Sequence, residues 1–356
     1  MKNGNGLTGV ESKTLPSGDK DSSEFGKHLL AFGLVLGLSW LGLYLLWDAL
    51  PHVRAGHQQI YEYKLAAIEE EDILPTDAAP IRIVIFGNSR VQAGFIPELF
   101  DQHSGGLVYS YNLGLPATSA FLDTLRTLVS REHKPTHILL TLPWPDQDHE
   151  PLGQYLRQDN RIINGLFPFR HLLRDLIQFS VRSYQNGGLL SYYDHMAKLV
   201  DQARRDRGYF FIENQSHFPG HRLPDDFHVD SERPDVSWKR NWGRRGEAFQ
   251  HLLEIAEEEE IGILVVPSYY REYSFAEPEL LKAESEALAE HGITLLGPDY
   301  WRYPNRLFSD PTHVNRDGAK VYTRHLWELV GPHLLADPRA RLSTPEKNPS
   351  IGRIEE

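Results

Sequence analysis

Two hydrophobic patterns divide the chain. Residues 29–47 read LLAFGLVLGLSWLGLYLLW, nineteen positions without a charge. A helix of that length spans about 28 Å, close to the thickness of a bilayer's hydrocarbon core. Trp40, Tyr44 and Trp47 add aromatic residues, and Trp47 sits where an interfacial ring is expected. The run continues into DALPHVRAG rather than the small residues of a cleavage site, so it reads as an uncleaved anchor. From residue 81 the pattern changes. A short apolar, β-branched run at 81–86 (IRIVIF) reads as a buried parallel strand, and 107–113, 137–142, 261–267 (IGILVVP) and 293–296 read as the strands that follow it. Helical patterns lie between and after them at 121–131, 247–259, 277–291 and 316–335. Five strands with intervening helices predict an α/β fold with an open, doubly wound parallel sheet.

The remaining segments follow by contrast. Residues 1–28 predict a polar, disordered tail, 48–80 a stalk helix and linker, 81–336 the α/β domain, and 337–356 a second disordered tail. An insertion at about 146–243 interrupts the domain. Its first half carries an amphipathic, Phe- and Leu-rich stretch around 167–179, suited either to core burial or to a membrane surface. Its second half reads as loop, and its aromatics (Tyr209, Phe210, Phe211, Phe218, Trp238, Trp242) suit packing or sugar stacking. Gly33 and Gly37 form a G-x-x-x-G pattern inside the apolar run.

Charge narrows the classes of partner. Asp and Glu number 49 against 37 Lys and Arg, a net charge of −12, which argues against a nucleic-acid footprint. Four lysines (Lys2, Lys13, Lys20, Lys27) precede the apolar run, and only Arg54 and Lys64 follow closely. That bias predicts a single-pass protein of the inner (cytoplasmic) membrane, with its N-terminus in the cytoplasm and its domain outside, periplasmic where the cell has a periplasm. There is no cysteine, hence no thiolate ligand, disulfide or cysteine nucleophile. His217, His221 and His228 share one loop but lack carboxylates at ligand spacing, so neither a metal nor another cofactor is expected.

Ligands of doubly wound sheets bind beyond the carboxyl ends of the strands, and three such positions carry chemistry. Gly87-Asn88-Ser89-Arg90 follows the first strand, with Gly87 allowing a tight turn and Ser89 at a helix start. Tyr111-Asn112-Leu113-Gly114 ends the second strand. Ser309-Asp310-Pro311-Thr312-His313-Val314-Asn315 precedes the last helix, where Asp310 is placed to orient the His313 imidazole toward a serine. Each alone has a plainer reading: a helix cap, a βα turn, a histidine satisfied at a helix start. Arg90 suits either an acidic substrate group or a surface ion pair.

Taken together, a serine after strand one, a glycine after strand two and D-x-x-H before the last helix resemble the SGNH, or GDSL-like, hydrolase superfamily over about residues 81–336. The anchor, the G-N-S-R form and the Y-N-L-G phrase resemble its membrane-anchored, extracytoplasmic members associated with cell-envelope O-acylation. The resemblance implies a flavodoxin-like, three-layer fold and serine acyl transfer, as an O-acyltransferase or acylesterase. Ser89 would be nucleophile, His313 base and Asp310 its orienting carboxylate. The oxyanion would rest on the backbone N–H groups of Ser89 and Gly114, helped by the Asn112 side chain, with Arg90 and Trp144 toward substrate. The implied partners are a cell-envelope glycan or acylated polymer, the lipid bilayer and a multi-spanning membrane O-acyltransferase. The alternative is a catalytically degenerate SGNH domain that binds polysaccharide or such a partner. One departure is plain: the third strand ends Thr141-Leu142-Pro143-Trp144-Pro145-Asp146, without the asparagine of the superfamily's third block.

Overall fold

A computed structural model describes residues 19–54, 56–114, 117–130, 134–141, 165–185, 187–211, 218–228, 251–272, 289, 295–298 and 300–338. Strands β1 (Ile81–Gly87), β2 (Val108–Gly114), β3 (His137–Thr141) and β4 (Gly262–Val266) form one parallel sheet in the order β2-β1-β3-β4. The chain crosses from β1 to β2 on one side and returns to β3 on the other, which makes the β1/β3 edge the switch point of the sheet. A parallel bridge from Val265 to Leu295 carries the pattern one position further. A separate parallel pair, β5 (Ser268–Arg271) and β6 (Tyr300–Tyr303), was not foreseen from the sequence.

Helices cover both faces, because alternate strand residues supply two separate cores. Val84, Phe86, Leu113, Ile138, Leu140 and Val265 face one way, toward α2 (Gly56–Glu70), α5 (Ala117–Ser130), α6 (Leu172–Gln185) and α7 (Leu189–Arg205). Ile81, Ile83, Ile85, Leu139 and Val266 face the other way, toward α3 (Ser89–Gly94), α4 (Pro97–Gln102) and α8 (Arg316–Ala336). The long final helix starts at its expected place: Asn315 caps it by accepting from the Gly318 N–H at 3.0 Å.

Helix α1 (Asp19–Ala49) contains the apolar run, and its segment Glu24–Ala49 is long and apolar enough to cross a membrane, with none of its most apolar window buried in the protein. The segment expected to be a stalk differs from that expectation. Residues Ile60, Tyr63, Lys64, Ala67 and Ile68 of α2 are buried against the domain, so the helix is part of the core. Lys64 obscured this in the sequence by interrupting the apolar face. It is fully buried, its Nζ donates to the Gly114 carbonyl at 2.8 Å, and burial pushes its pKa well below the usual lysine value.

The insertion also joins the domain. Helices α6 and α7 pair, and the chain after α7 docks on the sheet edge, where the Asn112 N–H donates to the Arg207 carbonyl and the Phe210 N–H to the Gln92 carbonyl. Tyr209, Phe210 and Phe211 are buried, which assigns them to packing; Trp238 and Trp242 lie outside the described residues.

Two glycines permit the close approaches on which the sheet's upper edge depends. A Cβ on Gly87 would lie 2.3 Å from both Thr141 Oγ1 and Val91 Cγ2, so this glycine serves packing between β1, β3 and α3 rather than a tight turn. A Cβ on Gly114 would lie 2.4 Å from the backbone nitrogen of Gln92. Because backbone cannot move aside as a flexible side chain can, Gly114→Ala is expected to destabilise the protein by about 1–3 kcal/mol. Chemical denaturation of the two proteins measures this, and an unchanged midpoint would show that α3 backs away from β2 without cost.

Candidate active site

The site grows from the carboxyl ends of β1 and β2. After Gly87 the chain turns into α3, whose N-cap Asn88 accepts the Arg90 N–H on its side-chain oxygen at 2.9 Å. Ser89 is the first helical residue, a position whose backbone N–H has no partner within the helix. Six residues are too few to make a stable helix by themselves, so α3 depends on its neighbours. Asn112 supplies the main support: its Nδ2 donates to the carbonyl of Val91 at 2.9 Å, which also accepts the Phe95 N–H, and to that of the C-cap Phe95 at 2.8 Å. The hydroxyl of Tyr269 donates to the Arg90 carbonyl at 2.9 Å, and Thr323 of α8 bonds both Gly94 and Ile96.

This arrangement corrects two expectations. The Gly114 N–H donates to Asn112 Oδ1 at 2.9 Å, and Asn112 itself is fully buried. Neither group points to a substrate oxygen; both are spent inside the scaffold. The physical cause is the short helix, whose buried carbonyls need donors, with the Asn112 amide nearest at hand. The signal was present in β2 (VYSYNLG), where Ser110, Asn112 and Gly114 alternate on one face and are all small or polar. Such a face receives backbone rather than apolar side chains: Ser110 Oγ likewise donates to Asp101 at 2.7 Å.

The other half of the site comes from the turn before α8. Asp310 Oδ1 accepts the Thr312 N–H at 2.7 Å and the His313 N–H at 2.8 Å, closing the turn on its own side chain. Its Oδ2 lies 2.8 Å from His313 Nδ1, and His313 Nε2 lies 2.8 Å from Ser89 Oγ. A carboxylate can only accept, so Nδ1 carries the imidazole proton and Nε2 is left to accept from the serine hydroxyl. The structure thus brings Ser89, His313 and Asp310 together in one continuous line of hydrogen bonds. All three are partly solvent-accessible, at the switch point of the sheet.

Burial alone would raise the Asp310 pKa. The hydrogen bond from His313, its charge, and the N–H groups of Thr312 and His313 outweigh that, and hold the carboxyl below its ordinary range.

Strand β5 provides support that sequence reasoning missed. Besides Tyr269, Tyr270 lies under the Arg90 guanidinium at 4.4 Å, and the fully buried Arg271 donates from Nε to the Pro311 carbonyl at 2.8 Å, inside the Asp310–His313 turn. Arg90 is thus held over an aromatic ring one residue from Ser89, with its Nε buried and without a hydrogen-bond partner. Trp144 and His217 lie outside the described residues. Among the described residues no three His, Asp or Glu side chains gather in a metal-binding group. Compared with known protein families, curated proteins and solved structures, the chain matches none.

The depressed Asp310 pKa gives a pH signature. Its ionised form contributes stability that is complete above the ordinary carboxyl value of 3.8 and is lost as pH falls through the lower, folded-state value. The denaturation midpoints of wild type and Asp310→Asn are expected to differ while the carboxylate is ionised and to converge as the medium is acidified below the ordinary carboxyl value of 3.8. A gap that stays constant into strong acid would mean that Asp310 is not the ionised acceptor of this turn.

Proposed function

We propose that this protein is a membrane-anchored, SGNH-like serine acyl-transfer enzyme, an O-acyltransferase or acylesterase, acting outside the cytoplasm on a cell-envelope glycan or related polymer. The observation that carries the reading is the 2.8 Å contact of His313 Nε2 with Ser89 Oγ, backed by Asp310 at 2.8 Å on Nδ1. No isolated helix cap or satisfied histidine requires that three-residue alignment between the two ends of the domain. The order of the parallel strands and the helices on both faces support the flavodoxin-like part of the reading.

In this mechanism Ser89 Oγ attacks the carbonyl carbon of an acyl ester while its proton passes to His313 Nε2. Asp310 fixes the tautomer and stabilises the imidazolium. The tetrahedral oxyanion forms against the Ser89 N–H at the start of α3. Its collapse breaks the bond to the leaving alcohol, which takes the proton from His313 and leaves an acyl-Ser89 ester. An acceptor hydroxyl, from water or a sugar, then gives its proton to His313 and attacks the acyl carbon; collapse of that second tetrahedral species breaks the bond to Ser89 Oγ, which takes the proton back from His313. The Arg90 guanidinium, held over Tyr270, suits an anionic group on the donor or acceptor.

A second reading is favoured by one observation. With the Gly114 N–H and the Asn112 amide bonded to each other and to α3, the oxyanion has fewer donors, and one lost donor typically costs about 10²–10³ in rate. That suits a slow transferase, or an SGNH-like domain that only binds polysaccharide or a membrane acyltransferase.

A fluorophosphonate probe separates the two. The full chain in detergent is expected to take up the label, and both Ser89→Ala and His313→Ala to lose it, while Asp310→Asn slows labelling by about 10⁴ through the wrong tautomer. Folded wild-type protein that takes up no more label than Ser89→Ala would sink the enzyme reading and leave the binding one.

A further inference from the structure

Helix α6 is apolar on two faces, and only one has a partner in the protein. Leu172, Phe179 and, in part, Leu176 pack against α7 and the core. On the other side Leu173, Ile177, Val181 and Tyr184 follow one another at spacings of four, four and three residues, and so share one face. All four are exposed, Leu173 to 73% and Tyr184 to 90%. Leu166 and Phe167 extend the patch before the helix, and Leu189 and Leu190 extend it after, Leu190 at 84% exposure. Soluble surfaces rarely leave so many large apolar side chains together.

The position of this patch relative to α1 identifies its surroundings. The indole N–H of Trp40 donates to the Leu166 carbonyl, and the Trp40 ring meets Phe169 edge-on at 6.2 Å. Trp40 lies nine residues before Ala49, the end of α1, or about 14 Å along the axis. The apolar segment Glu24–Ala49 is about 39 Å long against a hydrocarbon core of about 30 Å. Trp40 therefore lies inside the hydrocarbon boundary wherever the helix settles. A backbone carbonyl at that depth needs a donor, and Trp40 supplies it to Leu166. Arg170 and Arg174 stand exposed at the start of the same hairpin, Arg170 donating to His171 Nε2 and Arg174 paired with Asp175.

We infer that the exposed apolar face of 166–190 is embedded in the leaflet beside α1, so that the protein holds the membrane by an in-plane helical hairpin as well as by its spanning helix. The occupant of the face is lipid acyl chain. The inference rests on α1 crossing the bilayer and is independent of the chemistry at Ser89.

The cysteine-free chain allows a direct test. Full-length Leu173→Cys, Ile177→Cys and Val181→Cys proteins would carry an environment-sensitive fluorophore in vesicles of phosphatidylcholine and phosphatidylglycerol. Leu36→Cys in α1 and Glu98→Cys in α4 serve as lipid and water references. Nitroxide-bearing lipids are expected to quench the three α6 positions about threefold or more above Glu98→Cys, near the level of Leu36→Cys. Quenching at Leu36 with none at α6 would overturn the inference and leave the anchor standing. Quenching at neither would remove the anchor itself. Protection of the α6 cysteines from a water-soluble maleimide in native membranes, without quenching in vesicles, would assign the face to a protein partner and also overturn the inference.

Discussion

The seating of a six-residue helix on the end of a strand is the constraint that organises this protein. Helix α3 carries Ser89, yet is too short to hold its own shape. Its carbonyl end is bound by the Asn112 amide, its start by the Asn88 cap, and its outer side by Tyr269 and Thr323. Removing the side chain at Gly114 lets the Gln92 backbone descend onto β2. Elements from both halves of the domain thus converge on one turn of helix, and the serine hydroxyl inherits its position from all of them.

The turn that carries His313 is built on the same principle with different parts. Asp310 closes it by accepting two backbone N–H groups and then spends its second oxygen on the imidazole. Arg271 ties the middle of the turn to β5, and Asn315 begins the long helix α8 that packs on α3 and α4. One carboxylate therefore shapes the loop and sets the tautomer. A substitution there disturbs both at once, which is why geometry and chemistry at this site are hard to separate by single changes.

The parts legible in the sequence were those where local pattern and tertiary role coincide. Strands β1, β3 and β4 are largely apolar runs, and Ser89, Asp310 and His313 stand where strands end or a helix begins. The misread parts were those whose role is set by a neighbour. Asn112 and Gly114 looked available to a substrate because no sequence pattern shows which way an amide turns, and the carbonyls of α3 claimed it first. Lys64 made α2 look like a solvated stalk because a buried lysine with a single carbonyl partner is rare. Strands β5 (SYYR) and β6 (YWRY) escaped notice because four polar-aromatic residues carry no period.

The contact between His313 and Ser89 joins residues 224 positions apart. In chain order the serine precedes the histidine by most of the domain, so this contact exists only once both ends of the domain are in place. A chain lacking the turn before α8 lacks the imidazole, and its Ser89 hydroxyl has no nitrogen beside it. The separation makes this one hydrogen bond a report on the assembly of the whole domain.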